Sequence, residues 1–323
     1  MSKMLKSRRF GFTDFWNDFF SHIYVEEEIA GTKMVRHVLD SFPKCRVVPI
    51  KHYKDVFNRA GQEFLIQKYS PKLILASRKE NFLYEGASVC ERYGHSEFYY
   101  TTLMMNCLYN CAYCYLQTIY QSANLVAFVN QSDYFAEITK VTKSMKSAYI
   151  SLSYETDLLA LEHIFGYVKM WAEFADKKDN LIFEIRTKSA NFSAIETIKP
   201  PSNMILTWTM SPQPIIDEFE EATPPLIDRI KNAATAISKG WQVRLAFDPT
   251  LTLPNWENNV RAMIEQISEH INIKQLHDVS IGEFRMSDAQ YKKLKKMRPQ
   301  ASLFKNGSEK NVKPFIKDLL GIS

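Results

Sequence analysis

Three cysteines, Cys107, Cys111 and Cys114, stand together at a C-x3-C-x2-C spacing, and no other stretch restricts the chemistry of this chain as much. The run Cys107-Leu108-Tyr109-Asn110-Cys111-Ala112-Tyr113-Cys114-Tyr115 follows an apolar stretch, Phe98 to Met105, that reads as a strand. The thiols therefore belong to a loop at a strand end. Three close thiolates can ligate three irons of a cubane 4Fe–4S cluster. The fourth iron then lacks a protein ligand and is open to a small molecule. A structural zinc is the other reading, and it needs a fourth ligand. His95 and Cys90 are the nearby candidates, and neither has zinc-finger spacing.

The remaining cysteines agree with a metal rather than a disulfide framework. The chain has five, the others being Cys45 and Cys90. An odd count with three in one tight loop points to a reducing compartment, hence the cytoplasm. The basic N-terminus leads into Phe-Gly-Phe-Thr-Asp-Phe-Trp-Asn-Asp, where acids interrupt any signal-peptide core. No apolar run is long enough to cross a membrane. At 323 residues, 46% of them hydrophobic, the chain can build one large domain or two small ones. The net charge of +5 permits a nucleic-acid partner without requiring one.

Taken in order, residues 22–28 read as a strand, 29–42 as a helix and 45–50 as a second strand. Residues 69–77 read as another strand. These predict a small α/β extension over 1–97. From Phe98 apolar runs of strand length recur at 98–105, 148–153, 181–187, 204–211, 243–248 and 279–284. Helical periodicity fills the gaps. Leu158, Leu161, Ile164, Phe165, Val168 and Trp171 fall on one face of a helix over 156–174. Pro224-Pro225 opens another helix that Gly240 closes, and 256–271 is a third. Six strand–helix units argue for a parallel sheet curled into a partial (β/α)6 barrel over 98–298. Active groups would then lie at the C-terminal strand ends, where the cysteine loop is. A tail over 299–323 completes the chain. Lys292, Lys293, Lys295 and Lys296 form either a solvated helix face or a phosphate-binding one.

An open iron and an aromatic residue before the third cysteine, Tyr113, resemble the pattern of radical S-adenosylmethionine (SAM) enzymes. More closely, Cys107 to Thr118 resembles the cluster loop of the spore photoproduct lyase family. Residues 23–28, Ser153-Tyr154-Glu155-Thr156-Asp157 with Leu161-Glu162-His163, Arg186-Thr187-Lys188, Thr207-Trp208-Thr209-Met210-Ser211 and Phe219-Glu220 with Thr223 resemble further segments of that family in the same order. The likeness covers roughly residues 22–298. It implies a radical SAM DNA-repair lyase that reverts 5-thyminyl-5,6-dihydrothymine, a UV dimer, to two thymines. A 5′-deoxyadenosyl radical would remove hydrogen from C6, the dimer would split, and the remaining thymine radical would regain a hydrogen atom. The resemblance implies UV-damaged DNA as partner and a cellular reductant such as flavodoxin or ferredoxin, with no membrane.

Carried over by position, Cys107, Cys111 and Cys114 match the cluster ligands. Tyr113 matches a residue beside the SAM adenine, and Lys188 one near its carboxylate. Thr156 and Thr209 stand where the family has serines. Tyr115 matches a tyrosine that takes part in hydrogen return. Two departures bear on the substrate. Tyr154 stands where much of the family has the cysteine that gives the hydrogen atom, so Cys90 is the remaining thiol for that role, with Tyr115 or Tyr154 as relay. By residue type alone Cys90 reads as a small buried hydrophobe. The family's C-terminal β-hairpin brings an arginine to the lesion. After Pro299 only Asn306-Gly307 suggests a small turn here, which leaves Arg285 as the fallback lesion contact. Arg285, Lys292, Lys293 and Lys296 are the expected nucleic-acid residues. The alternatives are a radical SAM enzyme of the same fold acting on an RNA base or small molecule, and a non-enzymatic, metal-stabilised nucleic-acid-binding protein.

Overall fold

The computed structural model describes residues 19–86, 92–95, 97–304 and 311–322. The Cys90 position and the Asn306-Gly307 turn lie outside these residues. The strands in chain order are β1 (His22–Glu26), β2 (Arg46–Ile50), β3 (Leu73–Ala76), β4 (Tyr84–Glu85), β5 (Phe98–Tyr100), β6 (Met104–Met105) and β7 (Asn110–Cys111). There follow β8 (Leu125–Phe128), β9 (Ala148–Ser151), β10 (Leu181–Thr187), β11 (Met204–Thr209), β12 (Glu220–Glu221), β13 (Gln242–Thr250) and β14 (Asp278–Glu283).

Six of them, in the order β5-β9-β10-β11-β13-β14, run parallel and form the curled half-barrel. β4 pairs antiparallel with β5 at one edge. Parallel strands covered on both faces carry unbroken apolar runs rather than alternating ones. Met-Ile-Leu-Thr-Trp-Thr of β11 is buried throughout. The crossover helices present one apolar stripe each. Residues Leu226, Ile230 and Ala233 of helix Leu226–Ser238 are buried at i, i+4 and i+7. Pro225 precedes that helix, and Gly240, at φ 87°, follows it.

The N-terminal sheet has the order β2-β1-β3-β8-β6. β8 pairs parallel with β3, and β6 antiparallel with β8. The chain after Phe98 therefore completes the sheet begun before it, and one continuous core runs from Ile23 and Leu75 to Leu206 and Trp208. The apolar run 98–105 is not a single strand. Phe98–Tyr100 joins the barrel and Met104–Met105 joins the other sheet, so the cysteine loop leaves from the junction of the two. The helix expected over 156–174 is broken at Gly166, φ 62°, into Glu162–Phe165 and Tyr167–Ala175. The tail holds an unanticipated helix, Val312–Leu320, which buries Val312 and Ile316 and sets Phe315 against Trp256 at 5.1 Å between ring centroids. No helix among the described residues is long and apolar enough to cross a membrane.

Candidate active site

At the C-terminal ends of the barrel strands lies a cavity of about 410 Å³. Cys107, Cys111 and Cys114 line one part of it. Tyr113, Tyr115, Tyr154, Thr156, Lys188, Thr209 and Arg285 line the rest. Ten of the fourteen expected site residues thus meet in one space. Lys292, Lys293 and Lys296 do not line it. They lie on helix Asp288–Met297.

The cysteine loop is held from outside itself. Its internal backbone bond runs from Cys114 N–H to the Cys111 carbonyl, at 3.1 Å. The Tyr109 backbone also bonds the Cys107 thiol, and the ties that fix the loop's place come from elsewhere. β7 pairs with β12, which sets Cys111 opposite Glu220. The Lys68 ammonium donates to the carbonyls of Cys107 and Tyr109. Gln117 Nε2 donates to the Cys111 carbonyl at 2.8 Å and is gripped in turn by Arg298 Nε at 2.7 Å. Arg298 also reaches Asn110. Lys293 Nζ donates to the Thr118 carbonyl at 2.6 Å, so this expected phosphate contact is a brace on the helix that follows the loop.

Burial raises all three thiols, Cys107 to about 12, so a bound cation is needed to hold them as thiolates. Among the described residues no three His, Cys, Asp or Glu side chains converge where a single metal ion would sit. The His95 ring lies against Tyr149 at 5.3 Å. Among the described residues the single-zinc reading thus finds no site, and of its two fourth-ligand candidates the structure places only His95. A cubane takes thiolates at three separate irons, and this wider donor set suits it.

Beside the cysteines, Glu220 organises a buried knot. Its carboxylate accepts from Tyr113 Oη, from Ser211 Oγ at 2.7 Å and from Arg229 Nη2 at 2.5 Å. Lys188 Nζ stands 3.6 Å away and 5.5 Å from the Tyr113 ring centroid. Burial alone would raise the Glu220 carboxyl, but Arg229 and Lys188 outweigh it and hold it down at about 2. The knot fixes the ring and the ammonium expected to meet SAM. Asp157 does the same one strand over, accepting from Thr187 Oγ1 and the Lys188 N–H at 2.7 Å each and from the Ala160 N–H at 3.1 Å. Thr156 Oγ1 is buried with no hydrogen-bond partner. A bound polar group would satisfy it.

Across the cavity Tyr115 Oη donates to the Tyr154 carbonyl at 2.7 Å, with the two rings edge to face at 6.1 Å. Below, Glu184, Arg244 and Tyr149 form a polar layer. Arg244 Nη1 donates to Tyr149 Oη at 2.6 Å and pairs with Glu184 at 3.3 Å. Asp248 links Arg186, at 3.4 Å, to Arg285, at 3.7 Å. The Arg285 side chain remains 54% exposed, so it can still reach a bound anion. Gly282 admits the Asp248 carboxylate, since a Cβ there would lie 2.5 Å from Oδ1.

Glu220, Asp157, Lys68 and Arg298 were not assigned as site residues from sequence. Asp157 carried a readable signal, an acid three residues before a buried N–H in an apolar run. Glu220 stands in the Phe219-Glu220 segment that resembles the family, which gave it no role, and Lys68 and Arg298 act across long sequence separations and carried no signal.

The sequence matches the spore photoproduct lyase family over residues 90–314. Spore photoproduct lyase of Clostridium acetobutylicum is 22% identical over 213 residues, which are 64% of this chain and 62% of that protein. The Bacillus subtilis protein is 22% identical over 177 residues, 54% of this chain and 52% of that one. The chain thus matches between half and two thirds of the length of these relatives. Among solved structures, a Tyr-to-Phe variant of spore photoproduct lyase superposes with a TM-score of 0.77 at 15% identity, covering 94% of each chain. Spore photoproduct lyase complexed with dinucleoside spore photoproduct gives 0.75 at 16% identity, covering 88% of this chain and 84% of that one. A variant with bound AdoMet and the same dinucleoside gives 0.74 at 16%, covering 87% and 84%.

Proposed function

Since the chain belongs to the spore photoproduct lyase family, we propose that it is a radical SAM lyase that reverts 5-thyminyl-5,6-dihydrothymine in UV-damaged DNA to two thymines. The observation that carries this reading is the single cavity at the strand ends. The three thiols open onto it beside Lys188 and the partnerless Thr156 hydroxyl. When bound, a 4Fe–4S cluster and SAM would supply the 5′-deoxyadenosyl radical that takes hydrogen from C6 of the lesion. Cys107, Cys111 and Cys114 would hold the cluster.

The other residues bind, orient and return hydrogen. Lys188, kept in place by Glu220 and Asp157, offers its ammonium to the SAM carboxylate. The Tyr113 ring, pinned through its hydroxyl, offers a face to the adenine, and Thr156 and Thr209 offer hydroxyls. Tyr154 and Tyr115 face the space left for the lesion and pass a hydrogen atom to the thymine radical, and a thiol restores it. Arg285 meets the lesion's anionic groups. Lys292 and Lys296, on the exposed side of helix Asp288–Met297, contact phosphates further along the strand. A damaged dimer leaves the base stack at low cost, which lets it reach the barrel mouth. The protein would work in the cytoplasm with a flavodoxin- or ferredoxin-class reductant.

The test is anaerobic reconstitution with iron and sulfide, then incubation with SAM, reductant and a synthetic spore-photoproduct dinucleotide. Thymines and 5′-deoxyadenosine should appear, and Cys111→Ala should give neither. Cleavage of SAM with an untouched lesion would sink the substrate assignment. Stoichiometric zinc without iron in anaerobically isolated protein would sink the cluster.

A further inference from the structure

A second cavity, about 380 Å³, is lined in part by Arg78, Tyr84, Tyr100, Tyr120 and Glu155, and shares no lining residue with the cysteine cavity. Aromatic rings join the two. Tyr115 and Tyr154 line the cysteine cavity, edge to face at 6.1 Å. Tyr154 stacks on Tyr100 at 4.3 Å and 24°, and Tyr100 stacks on Tyr84 at 5.0 Å and 14°. Four phenols therefore run without interruption from one cavity to the other. Packing alone would accept phenylalanine at any of these places. Phenols add a hydrogen that can leave as a proton and an electron.

The far end is built for a polar guest. Arg78 Nη2 donates to Tyr84 Oη. Glu155 Oε2 is buried without a hydrogen-bond partner, and burial raises that carboxyl against the pull of the Tyr120 and Thr102 hydroxyls. Lys54 and Lys79 also line the cavity, Lys79 with its ammonium paired to Glu28 at 2.5 Å. A small molecule carrying both a carboxylate and an ammonium fits a lining that holds cations, Arg78 and Lys54, together with carboxyls, Glu80 and Glu155.

We propose that Tyr100 and Tyr84 extend the hydrogen-return path out of the lesion cavity, and that a small zwitterionic thiol bound in the second cavity supplies the hydrogen atom. The inference rests on the lyase reading. The thymine radical takes a hydrogen atom from Tyr154: a C–H bond forms and an O–H bond breaks. Tyr100 then restores Tyr154, and Tyr84 restores Tyr100. Each transfer moves one electron between stacked rings and one proton between the same phenols. The phenoxyl left on Tyr84 takes hydrogen from the thiol S–H. Thiyl radicals from two turnovers pair as one disulfide, so one thiol is consumed per dimer repaired.

The test places 3-aminotyrosine, a radical trap, at position 84 of the full-length reconstituted enzyme and follows electron paramagnetic resonance during turnover of the lesion dinucleotide. An aminotyrosyl signal should grow at 84 and fall to background when Tyr100→Phe is added, a change that keeps the stacked ring and removes only the phenol. The same trap at Tyr24, on β1 and lining neither cavity, should stay silent. Repair with no signal at 84, or a signal indifferent to Tyr100→Phe, overturns the path. A second arm needs no cluster: calorimetry should show L-cysteine binding to the cluster-free protein, abolished by Arg78→Met, and no binding at millimolar L-cysteine overturns the thiol site. If the unmodified enzyme cleaves SAM but never consumes the lesion, the lyase reading fails and takes the path with it.

Discussion

Glu220→Gln should destabilise the protein severely, although it changes one atom. Glu220 and Arg229 side chains are both 0% exposed, and their charged atoms lie 2.5 Å apart. Glutamine keeps an oxygen for Tyr113 and Ser211. It turns either an amide N–H or a neutral oxygen toward Arg229 Nη2, and the guanidinium keeps a buried charge with no counter-charge. Removing one partner of such a pair costs about 3–5 kcal/mol. The urea slope of a chain this long is at least about 3 kcal/mol per molar, so the midpoint should fall by about 1 M. Urea denaturation at neutral pH, followed by far-UV circular dichroism on cluster-free protein, reads this directly. The double variant Glu220→Met/Arg229→Met removes both charges and should recover part of the loss, giving a clear coupling energy in the cycle. An unchanged midpoint for Glu220→Gln would refute the reasoning, as would a double variant whose loss is the simple sum of the two single losses.

Three further outcomes follow from the geometry. Lys292→Gln with Lys296→Gln should flatten the salt dependence of DNA binding by about 1.5 units in a log–log plot. Lys293→Met should leave that slope nearly unchanged and lower the melting temperature, because its ammonium braces Thr118; a slope that drops as far for Lys293→Met would show it to be a phosphate contact after all. Burial raises the Glu162 carboxyl from 4.5 to about 7, against the pull of the Lys169 and Val168 N–H groups. An acid with a higher folded than unfolded pKa binds more protons when folded, so its contribution to stability should fall by about 3 kcal/mol as pH rises through that window. Glu162→Gln should remove this slope from the stability–pH curve, and an unaltered curve would contradict it. Gly282→Ala should cost about 1–3 kcal/mol by overpacking and weaken lesion binding, since the methyl displaces Asp248 and with it Arg285. A variant as stable as the parent in calorimetry would mean that Asp248 moves aside freely.

Most of the fold was readable because its signals are local. The six barrel strands fall within or overlap the apolar runs, and Pro225 and Gly240 bracket a helix as their backbone preferences require. The failures have physical causes too. Phe98–Met105 is apolar throughout, and alternation cannot say that three residues pair with β9 and two with β8. The break at Gly166 was hidden because the apolar face continues through it, from Phe165 to Val168. Helix Val312–Leu320 repeats its apolar residues at 312, 315, 316 and 319, a helical spacing. Pro314 obscured it, yet a proline in the first turn removes an N–H that has no intrahelical partner anyway.

For the site, the motif named the expected cluster ligands and was silent on what positions them. Residues 107–114 make one backbone hydrogen bond among themselves. Taken alone, a loop of that kind would sample many arrangements of its three sulfurs. Its shape is set by Lys68 from the N-terminal layer, β12 from the middle of the chain and Arg298 from near its end. These three segments meet only when both sheets and helix Asp288–Met297 have formed. Cluster-binding geometry is therefore a product of the completed fold, and a fragment carrying the cysteines alone would hold iron loosely. The same holds for the SAM side. Lys188 could be matched by position, but what positions it is a pair of carboxylates, Glu220 beside its ammonium and Asp157 on its backbone N–H. Both stand in segments that resemble the family, and the resemblance gives neither of them a role. A buried acid beside a ligand-facing cation is the element that residue type alone conceals, because in sequence it looks like any solvated glutamate or aspartate.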